Sequence, residues 1–312
     1  MVSAKNGYGK AKSSSGVKKA FLRNYQLYIL ALPAIIATFI FSYIPMYGVI
    51  IVFKDFSFKQ GILASPWVGF KHFERLFQYP ALLDMIKNTL RLSLYSLATF
   101  PLAIILALLL NELRSSKFRK TVQMISYAPH FLSEVVVVSM LTMFLSRSGL
   151  FNNIISLLGG ARIDFLAKPQ YFSHIYVWSG VWQGIGWGTI IYLAALAGIS
   201  PDMVEAARID GAVRRQIIWY INIPCILPTV VITFILSAGF IMSVGFEKIL
   251  LLQNDLNRTA SRVIQTYVYQ VGVRGGDYSY TTAIGLLNNI VNIIILLFVN
   301  QIAKKLSGTG VW

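Results

Sequence analysis

Six long apolar stretches constrain this chain more than any other feature. They run over about residues 27–53, 89–111, 122–145, 175–197, 226–252 and 282–302. At 1.5 Å per residue each can cross about 30 Å of hydrocarbon, with some tilt. The expected fold is therefore an all-α membrane protein with six transmembrane helices.

The rest of the composition agrees. The chain is 56% hydrophobic and only 13% charged, where a soluble domain carries about 25% charged residues. Its net charge of +16 could signal nucleic acid. However, most basic residues flank apolar runs, and no basic, aromatic-interleaved soluble domain is present, so no nucleic-acid partner is expected. The single cysteine, Cys225, allows no internal disulfide. Without a Cys or His cluster, no metal site is expected. HExxH and GxSxG are absent. Gly7-Tyr8-Gly9-Lys10-Ala11 is similar to a phosphate-binding loop, but lacks the earlier glycine, the Ser/Thr and a preceding strand. The chain reads as a non-enzyme with no cofactor of its own.

Residues 1–23 are basic and Ser/Gly-rich and read as a flexible cytoplasmic tail. The first apolar run, with Pro33 and Pro45 inside it, starts too late and runs too long for a signal peptide and reads as a retained helix. The expected organisation is thus a tail over 1–23, a first helix and external loop over 24–88, a core of five helices over 89–305, and a short tail over 306–312.

Loop charge sets the orientation. One side would hold Lys5, Lys10, Lys12, Lys18, Lys19 and Arg23, then Arg114, Lys117, Arg119 and Lys120, then Arg208, Arg214 and Arg215, then Lys304 and Lys305. Only Glu112, Asp202, Glu205 and Asp210 oppose them. The positive bias places both termini and the 200–224 loop in the cytoplasm of a multi-pass, cytoplasmic (inner) membrane protein surrounded by lipid. On the other side, Phe70, Phe73 and Phe77 share a helical face, which suits either an external partner or an interfacial helix.

The most informative segment is GISPDMVEAARIDGAVRRQIIWYINIPCILP, residues 198–228. Ser200 can cap a helix, with Pro201 at its first position and Asp202 in its first turn. Val204, Ala207 and Ile209 give it a short apolar face. Gly211 permits a break. A second short helix is expected over 212–221, with Pro224 and Pro228 restarting the chain as a membrane helix. Two short helices against the cytoplasmic face, with Glu205, Arg208 and Asp210 around a small Ala-rich surface, suit docking.

Glu205-Ala206-Ala207, Asp210-Gly211-Ala212 and Ile221-x-Ile223-Pro224 resemble the EAA motif of importer-type ABC permeases. Tyr43-Ile44-Pro45-Met46-Tyr47-Gly48, Phe53-Lys54-Asp55-Phe56, Trp67-Val68-Gly69-Phe70 and Tyr127-Ala128-Pro129-His130-Phe131-Leu132-Ser133 resemble the carbohydrate permeases, in particular the LplB-type branch that serves oligo- and polysaccharide import. The resemblance covers nearly the whole chain beyond the tail. It implies a type I ABC importer fold in a bacterial membrane and several partners: a second homologous permease, two ATPase subunits carrying ATP and Mg, an extracellular or periplasmic sugar-binding protein, and an oligosaccharide. It also implies that Glu205, Ala206, Ala207, Arg208, Asp210, Gly211 and Ala212 form the surface that couples to the ATPase, with Glu205 in contact with it.

A sugar path needs hydroxyl-binding groups and aromatic faces away from lipid, and polar groups within the membrane are costly. Trp178, Trp182, Gln183, Ser243, Glu247, Asn288 and Asn292 are the path candidates, with Glu134 and Asn289 beside them. The pairs Trp178/Trp182, Ser243/Glu247 and Asn288/Asn292 each share a helix face. Against this, Trp178 suits an interfacial belt and the asparagines suit helix–helix bonding. Gly180, Gly184 and Gly188 form a small-residue stripe fitting either a seam between permeases or packing within the chain. A non-sugar ABC cargo such as peptide is the main competing reading, and a secondary transporter the next. Basic groups at Lys54, Lys71, Arg258, Arg262 and Arg274 point weakly to an acidic cargo.

Overall fold

The computed structural model describes residues 23–311. Residues 1–22, which hold nearly all of the tail and its glycine-rich loop, therefore lie outside the described residues. Among these, all regular structure is helical apart from one isolated bridge between Lys54 and Trp67. Six helical spans are long and apolar enough to cross a membrane: Tyr25–Phe53, Leu82–Asn111, Glu134–Leu157, Pro169–Ala197, Arg214–Gly239 and Tyr278–Ser307.

The chain divides after Val68 into two units. In the first, helix α1 (Tyr25–Thr38) continues through a π turn, Phe39–Tyr43, into a 3₁₀-wound stretch, Ile44–Phe53. The wider turn falls just before Pro45, where a proline ring would press on the carbonyl four residues back. Lys54 then closes the following loop, its Nζ donating to the Ile62 and Leu63 carbonyls at 2.9 and 2.8 Å. Phe53 stacks on Trp67.

The second unit carries α2 (Lys71–Phe77), α3 (Leu82–Ala98), α4 (Pro101–Asn111), α5 (Ser116–Tyr127), α6 (Glu134–Leu145), α7 (Leu150–Leu157), α8 (Pro169–Ala197), α9 (Pro201–Ile209), α10 (Arg214–Ile217), α11 (Ile223–Gly239), α12 (Phe246–Leu252) and α13 (Tyr278–Ser307). The long α8 is the hub and packs against α4, α5 and α11, while α11 packs along α13.

Three expectations are corrected. The apolar run over 122–145 is not one helix: it breaks between α5 and α6, where Leu132 and Ser133 are extended. Pro129 has no N–H to give, and Ser133 caps a new helix by accepting from the Val136 N–H. The run over 226–252 is not one helix either, since α11 ends at Gly239 and α12 begins at Phe246. Conversely, the separate helix expected over 212–221 is the start of a membrane span: α10 passes through a π turn, Ile218–Asn222, straight into α11. Pro224 and Pro228 thus sit within a continuing helix rather than restarting one.

Some ends also reach past the apolar runs. Asp277 caps α13 by accepting from the Tyr280 N–H, so this helix begins at Tyr278. Asp277 also binds Arg75 at 2.6 Å, and the Arg75 guanidinium lies 4.1 Å above the Tyr280 ring. This ties α2 to the start of α13. Burial, and then the hydrogen bond to Tyr280, raises the phenol of neighbouring Tyr267 well above its usual range. On α2, His72 and Leu76 are buried, while Phe77 and, just before the helix, Phe70 face outward.

Glycine sets the tightest crossing. A Cβ on Gly186 would lie 2.1 Å from the Ser126 carbonyl oxygen, whereas one on Gly184 would meet nothing within 4 Å. Gly186→Ala is expected to force α8 off α5 at a cost of about 1–3 kcal/mol, read as a lower thermal midpoint in detergent, with Gly184→Ala close to the parent. Equal midpoints for the two would contradict this crossing.

Candidate functional site

The two interruptions put polar backbone where a continuous helix would have paired it, and side chains from the neighbouring helices meet it. Gln183 on α8 donates from Nε2 to the Leu132 carbonyl at 3.2 Å. The Gly245 N–H donates to the Tyr176 hydroxyl at 2.9 Å. The Met242 N–H donates to Asn292 Oδ1 at 3.0 Å, and Gln265 donates to the Met242 carbonyl. An unpaired buried amide or carbonyl costs about 1–3 kcal/mol, so these side chains hold irregular backbone that could not otherwise persist.

Between the two breaks lies a cavity of about 860 Å³. Its walls come from α3, α4, α8 and α11, from the 128–134 break, and from Gly245 and Lys248 at the start of α12. Gly180, Gly184 and Gly188 all border it. The first two have no atom within 4 Å of where a Cβ would stand, while Gly188 faces Ala103 at 3.3 Å. This stripe therefore leaves open space beside α8, and the close helix contact is made by Gly186 on another face.

The polar wall has a charged centre. Lys248 is 5% exposed, and its Nζ donates to Gln183 Oε1 at 2.9 Å. Glu134 Oε2 stands 3.6 Å from the same nitrogen, close enough to balance charge but too far to hydrogen-bond. That carboxylate oxygen is buried and has no hydrogen-bond partner. Beside them His130 stacks flat on Trp187, with centroids 4.5 Å apart.

The candidates read from sequence fall into separate places. Gln183 lines the main cavity. Ser243 lines a smaller one of about 260 Å³ with Ser93, Ser96 and Tyr176. Asn292 is buried and bonds Met242 and the Ser243 hydroxyl, so it joins α13 to the 240–245 turn. Trp178, half-exposed, donates to the Tyr95 hydroxyl at 2.9 Å. Neither Trp178, Trp182, Glu247 nor Asn288 lines either cavity. Trp182 and Glu247 are exposed, and Asn288 keeps a buried carbonyl oxygen without a partner. Lys248 was missed, although a lysine inside the apolar run 246–252 was itself a signal.

The 200–224 loop is built from α9 onward. Ser200 stands at the N-cap of α9 but makes no capping bond with its side chain. At the other end the Ala212 N–H reaches the Ala207 carbonyl at 2.9 Å and Gly211 has φ +84°, a left-handed C-terminal turn that glycine suits. Gln216 then accepts from the Val213 N–H at 2.8 Å and opens α10. Val204 and Ala207 turn partly inward, while Glu205, Ala206, Arg208, Asp210 and Gly211 are exposed. Ile209, expected on the apolar face, is 87% exposed instead. Val204, Arg208 and Ala212 border a polar recess of about 570 Å³ shared with Asn111, Glu112 and Arg114.

Fold and cavity define a multi-pass membrane protein of the transport class. Residues 100–308 match the family "Binding-protein-dependent transport system inner membrane component". The chain is 42% identical over 288 residues to the polygalacturonan/rhamnogalacturonan transport system permease protein YteP of Bacillus subtilis strain 168, covering 92% of this chain and 90% of the relative. It is 41% identical over 295 residues to LplB of the same organism, covering 94% and 93%. It also superposes with TM-score 0.85 and 41% identity on a chain of a bacterial alginate ABC transporter crystallised with an alginate pentasaccharide-bound periplasmic protein, covering 94% of this chain and 99% of that one. The chain belongs to the family of binding-protein-dependent transport system inner membrane components. It has the type I ABC permease fold, lies in the cytoplasmic membrane, and is a transport subunit rather than an enzyme.

Asn292→Leu strands the Met242 N–H and is expected to lower stability by about 1–3 kcal/mol, seen as a reduced thermal midpoint. Glu247→Gln, on an exposed side chain, is expected to stay within about 0.5 kcal/mol. An unchanged midpoint for Asn292→Leu would remove its backbone-holding role.

Proposed function

We propose that this chain is one of two permease subunits of an ATP-driven importer of oligo- or polysaccharides. The observation that carries this is α9: a nine-residue helix bearing Glu205-Ala206-Ala207, held out from the span α8 by a short turn and closed by the glycine turn at Gly211. Exposed Glu205, Arg208 and Asp210 give it a polar rim. Exposed Met203, Ile209 and Val213 beside them add apolar contacts. Such a surface suits seating in a partner's cleft, and the partner proposed is a cytoplasmic ATPase that binds ATP and Mg.

Because α10 runs without interruption into α11, a push on α9 is passed to a membrane span through one turn at Gly211. That turn is the hinge we favour, and the π turn at 218–222 the place where α11 can yield. Both termini and this loop lie in the cytoplasm in this reading, as the positive bias of the loops requires. A second permease and an external sugar-binding protein complete the assembly. Polysaccharide cargo is supported by the relatives, a polygalacturonan/rhamnogalacturonan permease and an alginate transporter. The roomy cavity with hydroxyl- and amide-bearing walls at Ser96, Thr99, Ser133 and Gln183 supports it as well.

The test is a pull-down through a tag on this chain, followed by reconstitution with the binding protein and ATPase assays over neutral maltodextrins, uronate oligomers and peptides. Stimulation by a sugar class is expected. Glu205→Lys should insert normally yet lose at least about nine-tenths of that stimulation, as a charge reversal at a desolvated contact does. Recovery of no ATPase, stimulation by peptides alone, or full stimulation in Glu205→Lys would each overturn the corresponding part of this reading.

A further inference from the structure

The cavity contains one cationic side chain and one acidic one among its described lining residues, Lys248 and Glu134. They form a long ion pair, with Nζ and Oε2 3.6 Å apart and no hydrogen bond between them. A lysine ammonium has three protons to donate. Here one goes to Gln183, and the nearest carboxylate oxygen stands off at 3.6 Å. Glu134 for its part is left with a buried oxygen that accepts no hydrogen bond. Taking a charge out of water is costly without good geometry and further hydrogen bonds; here the Lys248 side chain is 6% exposed and that of Glu134 33%. This pair has charge balance without the hydrogen bonds, and both groups border open space that a ligand can enter.

We propose that Lys248 is the carboxylate-binding group of this cavity, and that Glu134 is the internal anion that compensates it until a carboxylated sugar unit arrives. The proposal rests on the polysaccharide reading above and narrows it to acidic sugars. An incoming uronate carboxylate can take the free ammonium protons in short, charge-assisted hydrogen bonds. Gln183 fixes the ammonium, since its Nε2 is itself anchored on the Leu132 carbonyl. Released from the lysine, the Glu134 carboxylate can accept from sugar hydroxyls in the cavity that this residue lines. A pair that holds only by charge is thereby exchanged for one in which both groups are hydrogen-bonded.

The exchange also sets an upper limit on affinity. With the ligand bound, two carboxylates share one ammonium in a poorly solvated site, and like charges oppose one another. Binding is then specific but not tight, which suits a site the cargo must leave. Glu134 thus acts as a competitor, and removing its charge should tighten binding of acidic sugars.

The experiment uses the reconstituted complex with its binding protein. The probes are a uronate oligomer and the same oligomer with its carboxylates reduced to alcohols. The readout is the ratio of the concentrations giving half-maximal ATPase stimulation for the two. Lys248→Met should shift this ratio against the acidic oligomer by on the order of ten- to a hundred-fold, the loss of a hydrogen bond to a charged group. Lys248→Arg should keep the acidic preference, and Glu134→Gln should move the ratio the other way, toward the acidic oligomer. A Lys248→Met ratio equal to the parent's would overturn the proposal, as would a loss of response to both oligomers alike in folded Lys248→Met. Failure of both oligomers to stimulate the parent complex would instead overturn the polysaccharide reading beneath it.

Discussion

The structure depends on one constraint: backbone groups away from water must find partners within the protein. Helices meet it by themselves, and six spans do so here. At two of the places where the backbone leaves the helix, around Leu132–Ser133 and over residues 240–245, side chains meet it instead. Gln183, Tyr176, Asn292 and Gln265 each supply a hydrogen bond to one of these stretches. The polar residues of the membrane helices are therefore placed by the breaks, and the breaks sit where the chain encloses space. Irregular backbone, buried polar side chains and cavity are one feature, seen at three levels.

The cavity follows from what is missing on α8. Gly180 and Gly184 put no side chain into it, while Gly186 on another face brings α5 into backbone contact. A single helix thus packs tightly on one side and leaves room on the other. Lys248 reaches this room because α12 starts a new helix after the 240–245 turn. Had the run 226–252 continued as one helix, the Met242 and Gly245 N–H groups would have been used within it, and neither Asn292 nor Tyr176 would have been drawn to this turn.

Much of the fold was legible because membrane helices announce themselves by length and polarity. The number of spans, and the 200–224 loop with its glycine turn at Gly211, follow from apolar runs and from Pro201, Gly211 and the EAA-like residues. The breaks were not legible in the same way. Hydropathy does not distinguish one long apolar helix from two short ones, and both 122–145 and 226–252 are predominantly apolar. Pro129 and Ser133 carried the clue to the first break, and Gly239 and Gly245 the clue to the second. The site suffered accordingly. Gln183, chosen because a polar side chain in an apolar helix is costly, lines the cavity. Trp178 and Trp182 were chosen for their affinity for sugar faces, yet the cavity is bordered by Val177, Gly180, Val181 and Gly184 of the same helix. Lys248 was hidden inside a run taken as an ordinary span.

Transport of a sugar by this chain requires its cavity to be a water-filled path. The direct measurement is thiol accessibility in the assembled complex, with native Cys225 replaced by serine and single cysteines placed at Val181, on the cavity wall, and at Leu109, an exposed apolar position on α4. With a charged, membrane-impermeant thiol reagent, the account predicts rapid labelling at Val181→Cys that slows when the transported oligosaccharide is present, and little labelling at Leu109→Cys. Labelling at Leu109→Cys with none at Val181→Cys, or labelling at Val181→Cys that the sugar leaves untouched, would contradict it.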